Sequence, residues 1–221
     1  PGQLIPNEKT LVELFQVSIG TVRKAVGVLE KEGFLIRKQG LGTFVFQHDS
    51  SSFLFEYFHF ALNGSDEKQS PNVEFISFDS RKATKPEAEE LNISTGAPVF
   101  KIYNKLGLNK KFYIVDKIVI SQQKFPGLSE EIFKNRSNTI YNLYQNKYNI
   151  FITNCSEKLK AISADEKISR LLNITLNAPI LKINRVGQTY NNETIELRTS
   201  YVHTSDIDYI HSQNSTFGES I

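Results

Sequence analysis

The 221-residue chain has no methionine and a single cysteine, Cys155. One thiol cannot close an internal disulfide, so a reducing compartment is the simpler reading, and the cytoplasm is the expected location. The missing methionine predicts that Pro1 is not the native start and that methionine-bearing pieces are absent from the chain. No window approaches the about 18 consecutive apolar residues that a membrane-spanning helix needs. The opening PGQLIPNEK has no apolar signal-peptide core. No membrane partner is therefore expected. There is no glycine-rich phosphate loop and no G-x-S-x-G elbow. His48, His59, His203 and His211 have no i, i+4 pairing and no cysteine neighbour, so neither a metal site nor a cofactor is expected.

What is present suits a globular protein. The composition is 39% hydrophobic and 23% charged, enough to bury one or two cores and unlike a disordered chain. The formal net charge is +2, and its location is informative. Residues 1–47 carry six basic and four acidic side chains, whereas the remainder is balanced. The excess positive charge hints at an anionic partner for the first fifth of the chain.

That first fifth reads as two helices and a hairpin. Asn7 suits a helix N-cap, and Leu11, Leu14 and Phe15 recur at helical spacing. Ser18 is a second N-cap candidate. The helix that follows carries Val22, Ala25, Val26 and Leu29 on one stripe and ends at Gly33, a C′ glycine. Thr21, Arg23 and Lys24 fall off the stripe near the helix start. FLIRK and TFVF then flank QGLG, which predicts a β-hairpin. Two helices plus a hairpin make a winged helix-turn-helix, whose helix N-terminus and hydroxyl and basic groups suit phosphates and base edges. The spacing alone also fits a unit that merely packs.

The motifs decide between these. Pro6-Asn7-Glu8-Lys9, Ser18-Ile19-Gly20-Thr21-Val22-Arg23 and Gln39-Gly40-Leu41-Gly42-Thr43-Phe44 occur in the order found in the GntR family of bacterial transcription regulators, which the stretch resembles over about 40 residues. The resemblance implies double-stranded DNA as partner. It implies that Glu8, Lys9, Ser18, Thr21, Arg23, Lys24, Gly40, Gly42 and Thr43 form the DNA-facing set, with the wing glycines entering the minor groove. Lys9 stands where the family has arginine, losing bidentate geometry. Ile19 and Leu41 replace common basic residues, which predicts a flatter salt dependence. The family's module begins with a further helix before Pro1, which this chain lacks.

Beyond a polar linker at 48–56 and a second loop at 65–72, strands and helices alternate. VEFISFD, APVFKIYNKL, FYIVDKIVIS, FITNCSEKLKAI, APILKINRVGQ and TIELRTSYVH read as strands; PEAEEL (with proline at N1), NTIYNLYQNKY and ADEKISRLL read as helices. LNISTGAPVFKI (91–102) repeats as LNITLNAPILKI (172–183), with most positions identical or nearly so. The period is too long for a solenoid. Two pseudo-equivalent helix–hairpin halves sharing one sheet are expected. With one residue of slippage Asp116 matches Glu196, which predicts a carboxylate from each half facing a shared cleft; two ordinary surface carboxylates are the alternative.

From about Asn72 to Ile210 the chain resembles the UTRA domain of the HutC subfamily of GntR regulators. The resemblance rests on the doubled Leu-x-Ile…Pro turns, Thr139-Ile140-Tyr141 and Glu196…Tyr201. The expected class is α+β: an N-terminal winged helix-turn-helix (1–47), a linker (48–56) and a chorismate-lyase-like antiparallel sheet domain with helices (57–221). The resemblance implies a homodimer on a palindromic operator, with DNA affinity set by a small-molecule effector. Carried over by position, the effector set is Ser51, Ser52, Asn104, Asp116, Thr139, Glu196 and Tyr201. Carboxylates and a tyrosine suit a sugar or polyol. Sugar-phosphate sensors of this subfamily have Arg-x-Arg where this chain has Asn104-Lys105-Leu106, so the usual anion clamp is absent. Lys105 alternates to the other strand face. Arg185, the repeat counterpart of Asn104, is expected to pair structurally with a carboxylate. Two rival classes remain: an enzyme of lyase-like fold using the Asp116/Glu196 cleft, and a ligand-independent DNA-binding protein. Cys155, alone in a polar strand, is expected to be inert.

Overall fold

The computed structural model describes residues 2–31, 34–45, 58–65, 69–136 and 139–210. Gly33, His48, His211, Ser51, Ser52 and the whole 48–56 linker lie outside the described residues.

The N-terminal unit starts with α1 (Glu8–Phe15), where the Asn7 side chain accepts from Thr10 N–H at 2.9 Å. α2 (Ile19–Lys31) starts at Ser18, whose hydroxyl accepts from Thr21 N–H at 3.1 Å. β1 (Leu35–Lys38) and β2 (Gly42–Val45) form the expected hairpin. Residues 2–5 add a short third rung to β2: Ile5 N–H donates to Thr43 O, and Val45 N–H donates to Gln3 O. The core is small. Val22, Val26 and Leu35 are buried, with Ile5, Leu11 and Phe34 packed on them. The predicted stripe is only half used, since Ala25 and Leu29 are exposed, as are Leu14 and Phe15 of α1. The described part of this unit has nothing to lay against those positions.

The sheet domain is built from two copies of one β-α-β-β unit. The first is β4 (Asn72–Lys82), α3 (Lys85–Leu91), β5 (Pro98–Leu108) and β6 (Lys111–Ser121). The second is β7 (Asn154–Ser163), α6 (Glu166–Leu172), β8 (Pro179–Gln188) and β9 (Thr194–Val202). Between them lie a 3₁₀ turn (Gln122–Lys124), α4 (Glu130–Lys134) and α5 (Ile140–Tyr148). A two-stranded ladder joins β3 (Phe60–Leu62) to β10 (Ile207–Tyr209). The main sheet runs β4-β5-β6-β9-β8-β7, all antiparallel, so the halves meet at the β6–β9 seam. The repeat is therefore wider than its sequence signal, taking in β4 and β7 as well.

Equivalent hydrogen bonds recur in both copies. Ala83 N–H donates to Ala97 O and Ala164 N–H to Ala178 O, each at 2.9 Å. Asn92 and Asn173 end α3 and α6 in the left-handed region, at φ 51° and 54°. At the other end, Thr84 and Asp165 cap the helices. Pro86 takes the second helical position rather than the first, which costs nothing because that N–H also lacks an intrahelical partner.

Strand alternation splits the core between two faces. On one, α3 covers Val99 and Val119, and α6 covers Val115 and Ile180. On the other, Phe125, Phe133 and Tyr144 of the intervening segment cover Ile102, Ile118 and Ile120. Each of these fully buried isoleucines contributes about 1.5–3 kcal/mol.

The left-handed cap makes a direct prediction. Asn173→Ala is expected to lower unfolding free energy by about 1–2 kcal/mol, while Asn173→Gly leaves it nearly unchanged, as read by chemical denaturation.

Candidate functional site

Two separate sites emerge. In the winged helix, Ser18 and Thr21 join hydroxyl to hydroxyl at 2.9 Å at the start of α2. Arg23 Nε donates to Glu8 Oε2 at 2.8 Å, tying α2 to the first turn of α1. The Arg23 side chain is 64% exposed. Exposed pairs of this kind are worth about 0–1 kcal/mol, so the guanidinium can exchange Glu8 for a phosphate or base at little cost. Lys9 and Lys24 are exposed. At the wing, Gly40 has φ +76° and open space around it, whereas a Cβ on Gly42 (φ +113°) would meet Leu4 Cδ1 at 2.5 Å. Gly42 is thus required by backbone conformation, while the exposed Leu4 side chain could move aside. Thr43 sits opposite Arg37 in the hairpin.

In the sheet domain, β-strand parity gathers three of the seven expected effector residues, Asn104, Asp116 and Glu196, on the face covered by α5. Asn104 lies opposite Asp116, and Asp116 opposite Ser200. Glu196 is fully buried, and Asp116 and Asn104 nearly so. The matched carboxylates are not two surface groups: Arg198 bridges them, with Nε donating to Glu196 Oε1 at 2.8 Å and Nη1 to Asp116 Oδ2 at 3.1 Å. Ser200 Oγ donates to Asp116 Oδ1 at 2.5 Å. From α5, Tyr141 OH and Tyr144 OH donate to the two Glu196 oxygens at 3.1 and 2.7 Å. Thr139 caps α5, its hydroxyl oxygen accepting from Asn142 N–H at 3.1 Å.

The electrostatics follow from burial. The Tyr141 and Tyr144 phenols are pushed well above their ordinary pKa, first by desolvation and then by Glu196. Burial alone would lower Arg198, but Glu196, Tyr141 and Asp116 outweigh it and hold its pKa well above the usual value. Cys155 lies 3.9 Å from Tyr141 OH, and burial pushes its thiol up to about 11. Such a thiol stays protonated and unreactive. Arg185 donates to Glu157 at 2.6 Å, and Tyr209 OH donates to the same carboxylate at 2.7 Å. That is the structural role expected of Arg185.

Tyr201 does not join the cluster. An odd step from Glu196 turns it to the opposite face, where it packs on the Val115–Ile168 cluster. Ser51 and Ser52 lie outside the described residues. Arg198, Ser200, Tyr141 and Tyr144 join the cluster from outside the expected set. Period-2 alternation from Glu196 points to Arg198 and Ser200, and the i, i+3 spacing from Tyr141 points to Tyr144. Among the described residues no group of three or more His, Cys, Asp or Glu side chains could hold a metal. No described helix is long and apolar enough to cross a membrane.

A winged helix with a basic helix start, carried in one chain with a doubled sheet domain enclosing a polar cluster, defines a transcription regulator with a ligand-sensing module. Comparison with known proteins agrees. Residues 66–208 match the UTRA domain family, and residues 1–45 match the bacterial regulatory proteins of the gntR family. The chain belongs to the GntR family of regulators, in the branch that carries a UTRA domain. A Shigella flexneri protein named "Probable fructoselysine utilization operon transcriptional repressor" is 28% identical over 196 residues, covering 89% of this chain and 79% of its own. The mannosyl-D-glycerate transport/metabolism system repressor MngR of Escherichia coli (strain K12) is 24% identical over 209 residues, covering 95% and 86%. Among solved structures, the "possible transcriptional regulator YydK" of Bacillus subtilis superposes with a TM-score of 0.63 at 20% identity, covering 97% of this chain and 92% of that one. At that identity the likeness shows the fold alone.

Two predictions arise from the cluster. Arg198→Met strands two buried carboxylates and is expected to cost about 3–5 kcal/mol in denaturant unfolding. The raised phenols stabilise the fold fully below the ordinary tyrosine value of 10.0, and that contribution is lost as pH climbs past it, because the unfolded chain then binds fewer protons than the folded one. Unfolding free energy is expected to fall with rising pH above about 10, less steeply in the Tyr141→Phe/Tyr144→Phe double variant.

Proposed function

We propose that the chain is a repressor that binds a palindromic operator as a homodimer and changes its DNA affinity when a sugar or sugar derivative occupies the α5-covered face of the sheet domain. The observation that carries this reading is the Asp116–Arg198–Glu196 bridge, a buried polar cluster on the seam of a domain that shares its chain with a DNA-reading winged helix. Buried ionic groups are costly to maintain, and a functional site is one reason to keep them. The names of the relatives support a sugar-related effector. The domain division that fits is 1–47, a linker at 48–56, and 57–221. The cytoplasm is where such a regulator meets its DNA.

A non-enzymatic role fits the same geometry. Both carboxylates already accept hydrogen bonds from Arg198, Ser200 or the tyrosines, and the Cys155 thiol is held neutral. Where a hydroxyl does meet an imidazole, at Ser205 Oγ and His203 Nδ1, 3.2 Å apart, the pair is exposed rather than part of the buried cluster. The Arg23 and Glu8 pairing supports Arg23 as the DNA-facing cation, with Ser18 and Thr21 setting the start of α2.

The test is operator binding by fluorescence anisotropy, with and without a panel of sugars, sugar phosphates and sugar acids. Occupied and empty sensor states are expected to differ in operator affinity by 5-fold or more, about 1 kcal/mol of coupling. Operator affinity independent of every ligand that binds the protein would overturn the sensor half. Arg23→Ala is expected to weaken operator binding by ~1–3 kcal/mol; unchanged affinity would remove Arg23 from the DNA-facing set.

A further inference from the structure

Two elements cover the sheet face that carries the polar cluster. α5 lies over Ile102, Ile118 and Ile120. The β3–β10 ladder lies over the other end of that face, where Phe58, Phe60 and Ile207 pack with Ile114, Ile183 and Val202. Strand alternation puts Ile114 on the side of Asp116, and Ile183 stands opposite Ser200. The cluster is thus bracketed by a helix and by a ladder of three residues a strand. A two-stranded ladder has little stability of its own, so the contacts that hold it to the sheet decide where it sits. In chain order β3 is also the first strand of the sheet domain, the one reached from the winged helix through the linker.

One row of side chains joins the cluster to that ladder. Glu157 on β7, Arg185 on β8 and Arg198 on β9 are successive cross-strand partners. Arg198 is neutralised by Glu196 and Asp116, and Arg185 by Glu157 at 2.6 Å. Two buried guanidiniums therefore stand side by side, each compensated from its far side. Like charges set opposite one another on a sheet repel, so a change in what surrounds Arg198 is felt by Arg185 and passed to Glu157. The other Glu157 oxygen accepts from Tyr209 OH at 2.7 Å. Burial would raise the Glu157 carboxyl, but Arg185 and Tyr209 outweigh it and hold it below its ordinary pKa. Tyr209 ends β10, opposite Phe60 of β3. Its ring meets those of His59 and Phe60 edge-on, each at 5.4 Å, and Ile210 N–H donates to His59 O at 2.7 Å. The row that begins at the seam thus ends on the two residues that open the ladder.

We propose that Arg185, Glu157 and Tyr209 form a tether through which the charge and hydrogen bonding of the Asp116–Arg198–Glu196 cluster fix the position of β3. Arg185 and Tyr209 are positioning residues: one neighbours the cation of the cluster, the other holds the ladder. The inference rests on the effector-sensing reading above and deepens it, since it supplies a route from the site to the strand that the linker enters. A tether of this kind is a coupling between two places, and it is tested by measuring that coupling.

The experiment is a double-mutant cycle on the full chain, read by hydrogen exchange at the Asn63 and Ile210 amides, which donate to Asp206 O and His59 O at the ends of the ladder. The Ala83 amide, bonded to Ala97 O in the first half of the sheet domain, reports any general loss of stability. Asp116→Asn keeps the shape of the side chain and removes one negative charge from Arg198. Relative to Ala83 it is expected to change ladder exchange about fivefold or more in the wild-type background. In Tyr209→Phe, which lacks only the hydroxyl, the same substitution is expected to change it less than about twofold. Should Asp116→Asn not fold, Ser200→Ala, which removes a donor to Asp116, takes its place in the cycle. Ladder exchange that answers the cluster substitution equally with and without the Tyr209 hydroxyl overturns the proposal, as does no response in the wild-type background. Operator affinity of the same four chains keeps the two readings apart. A shift caused by Asp116→Asn that persists undiminished in Tyr209→Phe overturns the tether and leaves the sensor reading standing. A positive exchange cycle with one operator affinity in all four chains supports the tether and counts against the sensor reading.

Discussion

Arg198 reaching from β9 to the carboxylates of Asp116 on β6 and Glu196 on its own strand is the contact on which the sheet domain's organisation turns. It crosses the seam between the two β-α-β-β halves. Three charges buried together could not remain without one another. Remove the cation and two carboxylates are left desolvated; remove either carboxylate and Arg198 loses one of its two acceptors. The tyrosines of α5 complete the arrangement by donating to Glu196, so the helix that covers this face is held by polar groups as well as by Ile102, Ile118 and Phe125 beneath it. Specific hydrogen bonds set where α5 lies, and apolar burial supplies most of the driving force.

The winged helix depends on a different balance. Among the described residues its buried core is Val22, Val26 and Leu35, and short polar contacts fix its shape: Asn7 on Thr10, Ser18 on Thr21, Arg23 on Glu8. The last two involve side chains assigned to DNA. The groups that orient α2 are thus the groups that would exchange partners on binding, which keeps the reorganisation local. Gly42 shows a structural demand of its own, since its φ of +113° is one that residues with a side chain rarely adopt.

Much of this was legible in the residues. Local signals carried far: Asn7 and Ser18 as caps, QGLG as a turn, and the doubled Leu-x-Ile…Pro stretch as two equivalent halves. The pairing of Asp116 with Glu196 was visible through the repeat. Arg198 as their bridge was not, because it depends on the register between β6 and β9, strands about 80 residues apart in sequence. β3 and β10 are three residues each and find one another only in the folded chain, so neither has a period to read. α4 (Glu130–Lys134) is too short to show one. Tyr201 is a different case. Five residues from Glu196 is an odd step along a strand, and simple alternation already places it on the far face.

The seam also shows why the two halves could not stay alike. The repeat axis passes between β6 and β9 and relates Ile118 to Arg198, which face each other across the strands. Identical residues there would give either two isoleucines, with nothing to neutralise Asp116 and Glu196, or two guanidiniums set against each other. Exact internal symmetry is therefore incompatible with a single cation bridging two carboxylates across this seam. One half supplies oil where the other supplies charge, so the domain is lopsided at its midline.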